Sequence, residues 1–169
     1  NNNDMPHCLK PLRDKLELSV LDLGLCKDNK KMHSIYESQT AREAYILMIK
    51  QDVSSLPVLN SKNEIVGVIS MSDVKLFAKK QINIQEKLQL SIPEFVKESR
   101  HFVHNVLKTH TNSYYYNRTF SEVIVCKQYT SIHMVLRMIL FNHVHHIYIV
   151  ENKHPIGVIS CVDILNVFV

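Results

Sequence analysis

Glycine-rich phosphate loops, a G-x-S-x-G elbow and a C-x-x-C pair are all missing from this 169-residue sequence, which holds only three glycines. Their absence removes the phosphate-cradling loop of P-loop enzymes, the serine nucleophile of the α/β-hydrolases, and paired-thiol redox or zinc chemistry. Apart from His7 beside Cys8, no cysteine has a histidine next to it in sequence, so an enzyme reading has little behind it. Cys8, Cys26, Cys126 and Cys161 are scattered, which fits reduced thiols in a cytosolic setting better than a disulfide frame. The sequon at Asn117 then carries no meaning. No apolar run approaches the roughly 20 residues that span a bilayer. The opening Asn1-Asn2-Asn3-Asp4 lacks both Met and a signal-peptide pattern and reads as a piece of a longer protein. The expected setting is the cytoplasm, with the nucleus as a second compartment, and no membrane partner. The formal charge of +4 is too mild and dispersed for nucleic acid, which needs a dense basic face, and leans instead toward a small anionic ligand.

What is present is a duplication. Gly67-Val68-Ile69-Ser70-Met71-Ser72-Asp73 returns as Gly157-Val158-Ile159-Ser160-Cys161-Val162-Asp163, with Gly, Ser and Asp each displaced by 90 positions. Leu56-Pro57-Val58-Leu59 and Ile147-Tyr148-Ile149-Val150 precede the two copies, each across a polar turn. The offset is 91 before the turn (Val53 to Val144) and 90 after it, so the second turn is one residue shorter. Apolar residues at helical spacing follow each copy (Val74, Phe77, Ala78; Ile164, Leu165, Phe168). Self-similarity at a fixed period marks units that bury their apolar faces against neighbours.

The order within each copy is strand, helix, hairpin, helix. Ser34-Ile35-Tyr36 and Val123-Ile124-Val125 are the first strands. Thr40-Ala41-Arg42-Glu43 is a capping box opening a helix to about Lys50, and Thr130 or Ser131 caps its counterpart. Pro57 falls one residue into its run, where an edge strand or a strand start tolerates it. Leu16-Glu17-Leu18-Ser19-Val20 alternates, reads as a strand or extended linker, and has a later relative in Leu88 to Ile92. Pro93 opens a helix to about Lys108. Lys27 to Lys31 is a charged loop. Thr109 to Arg118, with Tyr114 to Tyr116, is an exposed insertion that either packs on its own domain or offers a contact surface. The expected organisation is 1–14 an N-terminal tail, 15–80 the first repeat with its lead-in strand, 81–121 a linker with helix and insertion, and 122–169 the second repeat.

Ser70-x-x-Asp73 and Ser160-x-x-Asp163 fall where a strand turns into a helix. A structural role suffices for them: Ser caps the helix and Asp favours its positive end. A carboxylate there can also accept two ribose hydroxyls, beside N–H groups that attract an anion. Both roles are compatible. His143-x-His145-His146 invites a metal reading, but strand alternation points His146 away from the other two, and no carboxylate or thiol stands nearby. His101 and His104 share one helix face, by default a solvated one.

The order of elements, with L-P-V-L before the turn and G-V-I-S-x-x-D after it, resembles a CBS domain. Two in tandem resemble a Bateman module, covering Leu16 to Val169. The likeness is greatest to the second Bateman module of the gamma regulatory subunits of AMP-activated protein kinase. That likeness is carried by Asp52 to Val58, by Val144 to Glu151, by Val162 to Leu165 and by the linker from Leu90. The resemblance implies an α+β fold of two β-α-β-β-α repeats and two nucleotide pockets between them. One pocket would set Asp73 on the ribose, with Val68 and Ser70 beside it. Glu122, Val123 and Ile124 would line its base, and Val144, His145 and His146 would lie toward phosphate. The other would use Asp163 with Val158 and Ser160, base-lining residues from Lys31 to His33, Val53, Ser54 and Ser55, and again His145 at phosphate. His146 stands where that family often carries Arg, which weakens the phosphate grip. The implied function is regulatory binding of AMP, ADP or ATP for energy sensing, with no obligatory cofactor. The implied partners are kinase subunits or a second CBS module, and a homodimer in isolation. A ligand-free dimerisation or docking module is the competing reading, as is the regulatory part of another enzyme, channel or transporter.

Overall fold

The computed structural model describes residues 10–26, 32–78, 83–107 and 119–169. It forms two compact units, one of residues 33–123 and one joining 1–32 to 124–169. Each is built round a three-stranded sheet.

In the first unit β1 (Ile35–Tyr36) runs parallel to β2 (Ser55–Leu59), which pairs antiparallel with β3 (Ile65–Ser70). Helix α2 (Ala41–Gln51) connects β1 to β2. It begins at the expected capping box, with Glu43 N–H donating to Thr40 Oγ1 and the Glu43 carboxylate accepting from Thr40 N–H. It ends at Asp52 in the left-handed region. Pro57 lies inside the middle strand, not on an edge. It is tolerated because β1 reaches only Val58 and Leu59, so at Pro57 the side of β2 away from β3 is unpaired.

The second unit repeats the plan with β4 (Val125–Cys126), α6 (Ile132–Asn142), β5 (His146–Glu151) and β6 (His154–Ser160). Ser131 is the cap of α6. The shorter second turn is explained by its geometry. Glu151 pairs with His154, and Asn152 and Lys153 both adopt positive φ, the tight two-residue turn whose twist suits a hairpin. The first turn, residues 60–64, is closed instead by the Asn60 side chain accepting from Lys62 and Glu64 N–H groups. The hairpins lead into α3 (Met71–Ala78) and α7 (Cys161–Phe168).

The lead-in segments settle differently from the reading as strands. Lys10–Glu17 is a helix, α1, which takes in Leu16 and Glu17, so of the two readings of Leu16 to Val20 the strand does not hold and the linker reading is left for Leu18 to Val20. Period-two alternation over five residues is too short to outweigh the helical start that Pro11 permits. Beyond α1 the backbone docks on the start of α6: Ile132 N–H donates to Leu18 O, and Val20 N–H to Thr130 O. In the first unit the later relative does the same for α2, with Ala41 N–H donating to Leu90 O and Ile92 N–H to Gln39 O. The bridges Ser19–Ser131 and Thr40–Ser91 are the same contact made twice. Each lead-in thus serves the repeat that does not follow it in sequence.

A short α4 (Ile84–Lys87) and the long α5 (Ile92–Leu107) complete the first unit. Phe95 and Val96 are fully buried with Ile92, and Phe95 meets Tyr45 edge-on at 5.7 Å and Phe77 at 5.1 Å. The second core gathers Val20, Ile132, Val135, Ile147, Ile149 and Ile159. Cys126 and Cys161 are free thiols, and burial pushes that of Cys126 up to about 12, leaving it unreactive. The tail 1–9, the loop 27–31, Tyr114 to Tyr116 and the side chains of His101 and His104 lie outside the described residues.

Gly67 and Gly157 match in sequence and differ in surroundings. A Cβ on Gly67 would lie 2.1 Å from the Phe120 ring, whereas one on Gly157 meets Ile149 Cδ1 at 3.1 Å. Gly67→Ala is therefore expected to destabilise by about 1–3 kcal/mol through forced displacement of a packed ring. Gly157→Ala is expected near neutral, because the unfolded-state restriction of about 0.4–1 kcal/mol offsets a small shift of a flexible methyl. Paired urea melts read the difference.

Candidate functional site

In each unit the hairpin's second strand ends at the Ser of the S-x-x-D motif, and the Asp falls in the first turn of the next helix. In the second unit Ser160 N–H donates to Asp163 Oδ2 at 2.9 Å and Ser160 Oγ donates to the same oxygen at 2.6 Å. Asp163 N–H returns a bond to Ser160 Oγ at 3.2 Å, completing a capping box. Asp163 itself is half-buried.

His146 opens β5 directly opposite Ser160. Its imidazole pKa is held below the ordinary 6.5, first by burial and next by His145, while Asp163 pulls the other way. His145 is exposed, and His143 is the left-handed C-cap of α6 rather than part of a strand. The side chain brought to the S-x-x-D turn is therefore that of His146. In the first unit the same place, opposite Ser70, is taken by Ser55.

The lowered pKa has a direction. Folded His146 stays neutral where the unfolded chain already takes up a proton, so its contribution is complete above about pH 6.5. It falls as pH drops below that value and levels off beneath the folded pKa. Thermal melts from pH 8 to 5 should show a steeper acid loss for the native chain than for His146→Gln.

Asp73 repeats the motif in a different environment. Ser70 N–H and Oγ donate to its Oδ2 at 2.8 and 2.9 Å, and Ser70 Oγ lies 2.7 Å from Ser72 Oγ. It is only 3% exposed. Arg100 of α5 faces the other oxygen, with Nε 3.9 Å from Oδ1. Burial raises the Asp73 pKa, and Arg100 and then the Ser70 bonds oppose the rise. Tyr45 OH donates to Ser70 O, and burial with the nearby Asp73 charge pushes its own pKa upward.

The other residues singled out from sequence fall as follows. Met71 N–H donates to Ser54 O, so Ser54, Ser55 and the partly buried Val53 join Ser70 and Asp73 at one end of the first hairpin. Val144 packs on the second core beside His145 and His146. Val68 stands opposite Pro57, and Val158 opposite Tyr148. Glu122 is exposed and closes a turn by accepting from Thr119 N–H, Val123 ends the first unit, and Ile124 packs into the second core. His33 is half-buried ahead of β1, and Lys31 lies outside the described residues. Arg100, Tyr45 and Phe120 escaped sequence reasoning. Their apolar or charged character was visible, but their nearness to the Asp73 motif arises only in three dimensions. Among the described residues no three His, Cys, Asp or Glu side chains are grouped to hold a metal ion.

Two sheets with this element order, each ending in the same capped carboxylate, are matched by the family model described as CBS domain over residues 27–79 and 119–169. The chain belongs to the CBS-domain family. It holds a tandem pair, and solved structures of the family share the α+β fold. A CBS-domain protein from Agrobacterium tumefaciens superposes with a TM-score of 0.64 at 16% identity, covering 91% of this chain and 96% of that one. CBSX2, solved in complex with AMP, gives 0.61 at 16% identity, covering 88% and 94%. A CBS domain pair solved with 5-methylthioadenosine and S-adenosyl-L-methionine gives 0.55 at 16%, covering 83% and 90%. Among the described residues of this CBS pair, no helix is long and apolar enough to cross a membrane.

Proposed function

We propose that this CBS pair is a regulatory module that binds an adenosine ligand: AMP, ADP or ATP. The observation that carries the reading is the Ser160–Asp163 capping box with His146 in register beside it. The carboxylate is held at a helix start, where it can accept sugar hydroxyls, and the imidazole beside it can share a proton with phosphate. Titratable His146 at that place favours a ligand of modest charge. Asp73 with Ser70 is the matching ribose position of the first repeat. Ser54, Ser55 and His145 are proposed phosphate-side residues. Val53, Val68, Val144, Val158, Lys31, His33, Glu122, Val123 and Ile124 are proposed base-lining ones.

The finer reading, a gamma-type regulatory subunit sensing energy state for a protein kinase, rests on the resemblance of residues 52–58 and 144–151 to that family. Binding biases a partner only where the ligand distinguishes two arrangements of the module. Titration calorimetry with AMP, ADP, ATP and S-adenosyl-L-methionine tests the core of the proposal. Saturable heat with at least one of them is expected, and no heat from any, with circular dichroism unchanged, overturns it.

A ligand-free dimerisation or docking role is favoured by a separate observation. Leu140 and Phe141 at the end of α6 are 71% and 78% exposed, and Val162 and Leu165 on α7 are 63% and 61% exposed. Faces this apolar are commonly covered by a partner. A homodimer or a second CBS module is the proposed occupant, and sedimentation over a concentration series decides whether self-association occurs without nucleotide.

A further inference from the structure

The S-x-x-D motif is doubled, but the residue behind its first copy is not. Tyr45 on α2 is only 8% exposed, and its ring meets Phe95 edge-on at 5.7 Å. Its hydroxyl reaches out of that apolar setting and donates to Ser70 O at 3.1 Å. That carbonyl is where α3 begins, because the residue before a helix accepts the first helical bond from the N–H four positions on, here Val74. Val74 N–H is turned toward the phenol oxygen as well, and it opposes the upward push that burial and then the Asp73 charge give the phenol pKa. The hydroxyl thus sits at the joint between β3 and the first turn of α3. Asp73 stands inside that turn. Its Oδ2 is committed to Ser70 N–H and Oγ, so a sugar hydroxyl must come to Oδ1, the oxygen that Arg100 faces. With the carboxylate only 3% exposed, a small rotation of the turn decides whether Oδ1 can be reached. At the 91-residue offset the second repeat has Leu136, which has no hydroxyl to offer.

We infer that Tyr45 is a positioning residue for the ligand site at Asp73: its hydroxyl pins Ser70 O and the first turn of α3, and so aims the carboxylate. The inference rests on the adenosine-binding reading and deepens it, because it names what holds the first-repeat ribose contact in place. Such support matters because a hydrogen bond acts only within a narrow range of distance and angle. The aim is set by the core. Helix α2 is fixed at its start by the Thr40–Glu43 box, and the ring is held against Phe95. Tyr45→Phe keeps that ring and its packing and removes one oxygen.

The test is AMP titration calorimetry on the whole chain carrying Asp163→Asn, so that the heat reports the first repeat. In that background Tyr45→Phe should weaken AMP binding by about three- to tenfold, the worth of one hydrogen bond. Asp73→Asn should weaken it further, and adding Tyr45→Phe to Asp73→Asn should change nothing more, because the phenol acts through the carboxylate. An affinity unchanged by Tyr45→Phe, or a loss that adds in full to that of Asp73→Asn, overturns the inference. AMP bound by the native chain and not by Asp163→Asn overturns it as well, while leaving adenosine binding intact. A ligand-free arm stands apart from nucleotide binding. In Tyr45→Phe, amide hydrogen exchange should quicken at Ser70 and Val74 by more than along β2. An equal rise in all of them marks a general loss of stability and overturns the positioning role even where no AMP heat is seen.

Discussion

Asp163→Ala is expected to weaken AMP binding by about a hundredfold or more while leaving the fold in place. Hydrogen bonds to a charged group contribute about 1.5–3 kcal/mol each, so losing the acceptor for two sugar hydroxyls removes at least about 3 kcal/mol. The structural cost is smaller. Asp163 completes the capping box of α7 by accepting from Ser160 N–H and Oγ, and losing a cap costs about 1 kcal/mol. For a chain of this length that is about 2–4 °C in melting temperature. Binding and stability therefore separate. Calorimetry with AMP and a thermal melt on the same sample check both, and a large drop in melting temperature with AMP affinity unchanged would show that the residue serves the helix alone.

Phe95→Ala carries the largest expected effect on stability, about 3–5 kcal/mol. Phe95 is fully buried and touches Tyr45 and Phe77, so its removal leaves a cavity lined by two rings that cannot both collapse into it. Against the 5–15 kcal/mol that small domains typically hold, a loss of that size unfolds a sizeable share of molecules under mild stress. The midpoint in urea should fall with little change in slope. A loss below about 1 kcal/mol would mean that α5 is not anchored through this ring. The same side chain anchors the helix that carries Arg100.

Local patterns that close within a few residues were readable from the sequence. The Thr40–Glu43 box, the Ser131 cap, both hairpins and the one-residue difference between their turns all depend on neighbours in the chain, and the structure has them where the pattern puts them. Patterns that depend on distant partners were not readable. The alternation at Leu16 to Val20 says nothing of the helix before it or of its docking on α6. Pro57 sits in a middle strand because β1 happens to be short. Pro93 with Phe95 and Val96 foretold a helix, yet not that Arg100 on it would reach Asp73. His145 drew attention through resemblance, but pairing register gives the position beside Ser160 to His146.

The crossed docking of the lead-in segments bears on how the chain is made. The stretch around Leu18 and Val20 leaves the ribosome well before its hydrogen-bond partners at Thr130 and Ile132, more than a hundred positions later. Such long-range closure slows folding and delays completion of the second unit until residues 124–169 have been made. A cut at the numerical midpoint would not yield two self-sufficient halves. It would strip α2 of the strap at Leu90 to Ile92 and α6 of the strap at Leu18 to Val20.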